Sequence, residues 1–154
     1  MAVPASERLR GLGLVLPAPG RPIGSYLPVV ADRGLAWVSG QIVTDGEKAL
    51  HPGSVDRDVD PARARDVARL GALKALGALA AALGSIDRVR RIVKLVVYVA
   101  VSPGFDRPHE VANGASDLLV EVFGEAGRPA RVTVGVAALP LGAPVEVELV
   151  AAFD

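Results

Sequence analysis

Two short apolar runs, Leu27–Ala31 and Leu35–Ser39, flank the turn-forming Asp32-Arg33-Gly34 and predict a β-hairpin. The polar, Gly- and Pro-containing stretch Thr44–Asp60 reads as a loop holding a short edge strand near Ala49-Leu50. Asp60-Pro61 then signals a helix start, because Asp caps and Pro at the first helical position loses no useful hydrogen bond. That helix runs to Leu83 and stops at Gly84. Its charges, Arg63, Arg65, Asp66, Arg69 and Lys74, fall in the first half, so Leu76–Leu83 must be buried on most sides. Arg90–Val101 alternates: Arg91, Val93, Leu95, Val97, Val99 and Val101 fall on one face, Arg90, Ile92, Lys94, Val96, Tyr98 and Ala100 on the other. This is a long central strand. Ser102-Pro103-Gly104 turns the chain, Pro108–Phe123 follows as a second helix, and two strands, Arg131–Val136 and Val145–Val150, close it on either side of a Pro140–Pro144 turn. At the other end, Ser6–Leu12 predicts a short helix capped by Ser6, and Pro17, Pro19, Gly20 and Pro22 an irregular arm. The division is an arm, 1–22, and a domain, 23–154. The body order β-β-α-β-α-β-β is an α+β arrangement, a mixed sheet with two helices on one face.

Parity on the last two strands bears on function. Val132, Val134 and Val136 share a face opposite Arg131, Thr133 and Gly135, while Val145, Val147 and Leu149 share one opposite Glu146 and Glu148. If both valine faces meet the helices, the Arg131 guanidinium and both carboxylates point together from the other face. A half-apolar sheet face with charges at its margin predicts a subunit interface with a cleft.

Composition narrows the chemistry. The chain has 154 residues, the length of one domain, with 17 basic and 17 acidic side chains. Zero net charge and six aromatics give neither the electrostatic footprint nor the stacking surface of a nucleic-acid binder. The cluster Arg88, Arg90, Arg91, Lys94 reads as a solvated edge. Ala and Val supply 49 of the 78 hydrophobic residues, which suits small-residue helices on a β-branched sheet and gives no support to a stacked cofactor. With no cysteine and with His51 and His109 far apart, neither a thiolate nucleophile nor a local metal motif is present. We therefore expect no cofactor and no metal. No stretch approaches the roughly 20 apolar residues that span a bilayer, so we expect no membrane partner and a cytoplasmic protein.

Several segments together resemble a known family: Ile23-Gly24-Ser25-Tyr26, Val38-Ser39-Gly40-Gln41-Ile42, the strand Arg91–Val99, Pro129-Ala130-Arg131, and Leu139-Pro140 with Pro144-Val145-Glu146-Val147-Glu148. In order and spacing they are similar to the RidA (YjgF) imine deaminases. The arm and Asn113–Gly124 resemble its longer branch, labelled YjgF-like or endoribonuclease L-PSP-like. The resemblance implies a chorismate-mutase-like α+β fold and a homotrimeric barrel with clefts between subunits. It further implies hydrolysis of 2-imino or 2-amino-enoic acids to 2-oxo acids and ammonia. By position in these motifs Arg131 grips the substrate carboxylate, for which a planar, permanently charged fork is suited. Glu146 holds the attacking water, positioned acid-base help worth about 10² to 10⁴ in rate. Tyr26 and Ser39 line the cleft with hydroxyls, and Asn113 stands for the family's helix asparagine. The ribonuclease label finds no histidine pair, metal motif or basic excess to support it. Val132 and Ser25 depart from the family's usual small hydroxyl and proline, which reshapes the pocket around the carboxylate grip. The rival reading is a non-catalytic trimer that binds or senses small carboxylates.

Overall fold

A computed structural model describes residues 3–154. Helix α1 (Ala5–Gly11) is followed by the extended arm, hairpin β1 (Val29–Asp32) and β2 (Leu35–Gln41), and a ribbon of β3 (Thr44–Asp45) and β4 (Lys48–Ala49). Then come α2 (Pro61–Leu83), β5 (Val89–Ala100), α3 (Pro108–Phe123), β6 (Ala130–Val136) and β7 (Val145–Phe153). Five strands form one mixed sheet in the order β1-β2-β7-β5-β6, antiparallel except for the β5–β6 pair. The α+β class is as expected. The central position belongs to β7, with β5 beside it, and the β3–β4 ribbon forms a separate sheet instead of an edge strand.

Local chemistry explains these elements. Arg33 and Gly34 both have positive φ, 47° and 77°, which makes the tight two-residue turn that matches strand twist. The Asp60 carboxylate accepts from Ala62 N at 2.8 Å and Gly84, at φ 84°, ends α2. Ser6 does not cap α1. Pro4 occupies that position, and Ser6 lies inside the helix, where its main-chain N and its Oγ donate to Asp87 at 2.8 and 2.6 Å. The arm follows the body closely: Leu9 is buried in the core, and a Cβ at Gly77 would collide with the Pro17 carbonyl.

One sheet face packs against α2 and α3 and holds Leu95, Val97, Val99, Val145, Val147 and Leu149, all essentially inaccessible. The other face has no helix over it among the described residues. The expected alternation of β5 fails at its start: Ile92 is fully buried while Arg91 and Val93 are exposed. Register shifts between Val89 and Arg91 and between Ile92 and Lys94 reset the pleat, so Ile92 joins the Leu95 face.

The parity argument fails on β6. In the parallel pair Arg131 lies beside Leu95, Thr133 beside Val97 and Gly135 beside Val99, so Arg131 shares the helix-covered face. Val132 and Val134 point to the open face, 41% and 40% exposed. On β7 the expected orientation holds: Glu146 and Glu148 pair with Tyr98 and Val96 on the open side.

Candidate functional site

Arg131 opens the edge strand β6 and reaches back to α3. Its Nη1 donates to Asn113 Oδ1 at 2.7 Å and to Ser116 Oγ at 3.0 Å. Asn113 and Ser116 stand three residues apart, hence on one helix face. The nearby Asp117 is taken by Arg65 at 2.7 Å, and Arg128 by Glu125 at 3.0 Å. Among the described residues Arg131 itself has no carboxylate within ion-pair distance. Its guanidinium lines an open pocket of about 240 Å³ with Ser116, Asp117, Val120, Arg128 and Pro129. Neutral oxygens thus orient the cation without cancelling its charge, the arrangement an anion-binding arginine requires.

Glu146 belongs to a different place. It lies on the open face at the start of β7, half-buried, and burial followed by the charge of Glu148 pushes its pKa above the usual carboxylate range. Gly40 makes room for it, since a Cβ there would collide with the Glu146 carboxylate. Burial, then Glu148, also raises the pKa of Tyr98, its neighbour across the strands. Arg131 and Glu146 are two strands apart and three residues out of step, about 14 Å at ~4.8 Å per strand and ~3.3 Å per residue, and on opposite faces. Within one chain they cannot touch the same small molecule.

The remaining expected residues divide between these places. Asn113 joins Arg131. Tyr26 and Gly40 line a second cleft of about 320 Å³ under the arm, on the Glu146 side. Tyr26 Oη accepts from Ile23 N at 3.4 Å, and the side chain is otherwise open to the cleft. Ser39 donates its Oγ to the Leu27 carbonyl at 2.7 Å, so its hydroxyl fastens the incoming chain to β2. Sequence reasoning missed Ser116, whose signal was the i,i+3 spacing from Asn113. It also missed Lys74 as a cleft residue, although Lys74 is the one charge between Leu70 and Leu83.

The three arginines of the basic cluster at the start of β5 have structural partners: Arg88, just before the strand, donates to the Leu83 and Asp154 carbonyls, Arg90 pairs with Asp154 at 2.9 Å, and Arg91 reaches the Arg128 carbonyl. His51 touches Arg63, and the described residues contain no group of three metal-binding side chains. No helix among them is long and apolar enough to cross a membrane.

Comparison with known proteins agrees with this architecture. Residues 6–153 match the family model described as YjgF/chorismate mutase-like, putative endoribonuclease. Protein TCP17 of Trypanosoma cruzi is 43% identical over 153 residues, covering 96% of each chain. A solved candidate endoribonuclease from Shewanella oneidensis superposes with TM-score 0.93 at 30% identity, over 98% of this chain and 100% of that one. E. coli TdcF, solved with bound serine, gives TM-score 0.54 at 27% identity, over 89% and 94%.

Proposed function

The chain belongs to the YjgF/chorismate mutase-like family that includes the RidA proteins, and from that premise we propose that it deaminates reactive 2-imino or 2-amino-enoic acids in clefts between copies of itself. The reaction adds water across the carbon–nitrogen bond of the protonated imine, and collapse of the adduct yields the 2-oxo acid and ammonium. Arg131 holds the substrate carboxylate. Glu146 positions the water, takes up its proton and returns it to the departing nitrogen, a task for which a carboxylate with a raised pKa is better matched than an ordinary one. The observation that carries the reading is the oriented Arg131 guanidinium with no carboxylate partner among the described residues. That serine, an amino acid, is the ligand in TdcF supports a carboxylate-bearing substrate.

Because Arg131 and Glu146 lie on opposite faces, the cleft takes each from a different copy. The uncovered face supports self-association: Val30, Trp37, Val132 and Val134 are 40–50% exposed around the partly buried Val96, Tyr98 and Val150. A homotrimer is the assembly the family resemblance implies. The same separation also favours a second reading, a trimer that binds or senses small carboxylates without turnover.

The deciding assay generates imines in situ with an amino-acid oxidase and follows their loss by semicarbazide capture. The unaltered protein accelerates hydrolysis over buffer, whereas Arg131→Ala lowers the rate to background with the assembly intact. No acceleration across a panel of amino-acid imines would leave the binding reading in its place.

A further inference from the structure

We propose that the Arg131 pocket selects ligands carrying a second acidic group, with Arg128 as the specificity-determining residue, so that the imines it favours are those of dicarboxylic amino acids. This deepens the reading above and rests on it for the role of Arg131.

Two cations and one carboxylate line this pocket: Arg128, Arg131 and Asp117. Asp117 is already engaged by Arg65 at 2.7 Å, so it opposes a ligand anion little. A ligand with one carboxylate answers Arg131 and brings nothing for Arg128. The present partner of Arg128 is Glu125, which accepts from its Nε at 3.0 Å. That contact uses one of the five guanidinium donors, and the Nη groups make no hydrogen bond among the described residues. Both side chains are largely exposed, and an exposed pair three residues apart holds its members weakly. Arg91 donates to the Arg128 carbonyl at 3.4 Å and has no carboxylate within ion-pair distance among the described residues, which adds to the positive potential at this corner.

The backbone between the two arginines is held in place. Arg128 N donates to the Glu125 carbonyl at 3.2 Å, which fixes the root of its side chain on the turn Gly124–Gly127. Pro129 restricts Arg128 to the extended conformation it has, φ −82° and ψ 102°, and Ala130 begins β6. Three extended residues at ~3.3 Å each put the two Cα atoms about 10 Å apart. A four- or five-carbon diacid bridges that gap once both side chains turn into the pocket. Val120 and Pro129 give apolar surface for the methylenes between its two acids.

Isothermal titration of the whole protein tests this with 2-oxoglutarate and 5-methyl-2-oxohexanoate, in which two methyl groups replace the distal carboxylate oxygens. The unaltered protein binds the diacid about tenfold more tightly, the worth of one charge-assisted contact. Arg128→Gln brings that ratio close to one, whereas Glu125→Gln removes the competing carboxylate and raises it roughly two- to threefold. Arg131→Ala loses both acids. The ratio on unaltered protein needs no variant to fold. Absence of saturable diacid binding, a ratio near one on unaltered protein, or equal weakening of both acids in Arg128→Gln overturns the proposal. So does a lowered ratio in Glu125→Gln or undiminished diacid binding in Arg131→Ala. In the imine assay the imine of glutamate is hydrolysed faster than that of leucine. Turnover of the leucine imine with no diacid preference defeats this proposal and leaves the deaminase reading standing; a diacid preference in binding with no turnover of any imine defeats only the deaminase reading.

Discussion

Asn113 and Arg131 stand 18 residues apart in sequence and 2.7 Å apart in space, and the chemistry of that contact makes a sharp prediction. A neutral amide oxygen orients the guanidinium while leaving its charge for a ligand. Asn113→Ala loosens the guanidinium and raises the KM for a carboxylate substrate by about tenfold, roughly the worth of one charge-assisted hydrogen bond. Asn113→Asp costs more, because it supplies the counter-charge the site omits; steady-state kinetics on both variants separates orientation from neutralisation. Glu146 shows the converse arrangement, a carboxylate disfavoured by its own surroundings. Its folded-state pKa is raised above the unfolded value, so its contribution to stability is fully present below the unfolded pKa and is lost as pH rises through the folded one. Glu146→Gln therefore raises the thermal midpoint at pH 7 relative to the unaltered protein, an advantage that disappears near pH 3. The same change lowers imine turnover by about 10² to 10⁴. Melting curves at the two pH values and one turnover measurement check both halves.

At the scale of elements, what could be read from sequence depended on whether the determinant was local. The ends of α2 were legible because Asp60, Pro61 and Gly84 carry their signals in their own backbone chemistry. The hairpin turn was legible in Asp32-Arg33-Gly34 for the same reason. The start of β5 was not: its bulges depend on how β7 runs beside it, and no residue between Val89 and Lys94 announces an inserted position. Strand β6 misled for a different reason. Its valines alternate as they would on any half-buried strand, yet they face away from the helices, because α3 presents Asn113 and Ser116 where an arginine is wanted. Periodicity tells which residues share a face and not which face the rest of the chain covers. Tyr26, Glu146, Asn113 and Arg131 were all visible as candidates by motif; their distribution over two places was a tertiary fact.

For the whole molecule, the uncovered sheet face is the dominant feature. Trp37, Val132 and Val134 lie on it at 40–44% exposure, and a chain that remained single would leave an apolar patch of this kind in water. Val134→Glu adds a charge to a side chain already in solvent within the chain, so it changes folding stability little, within about 0.5 kcal/mol. In the proposed assembly it disrupts the packing between copies. Sedimentation velocity on this variant shows a monomer with unchanged circular dichroism, and imine turnover falls with the assembly.

The placement of Arg131 and Glu146 on opposite faces has a genetic consequence. When each cleft draws these two residues from different chains, one defective copy compensates for another. Arg131→Ala and Glu146→Gln protein, each inactive alone, regain activity when co-refolded, since about a quarter of the clefts in randomly mixed assemblies receive an intact residue from both sides. Two damaged alleles in one cell would then sustain what neither supports by itself, whereas a double mutant in one chain would be beyond rescue by a copy of itself.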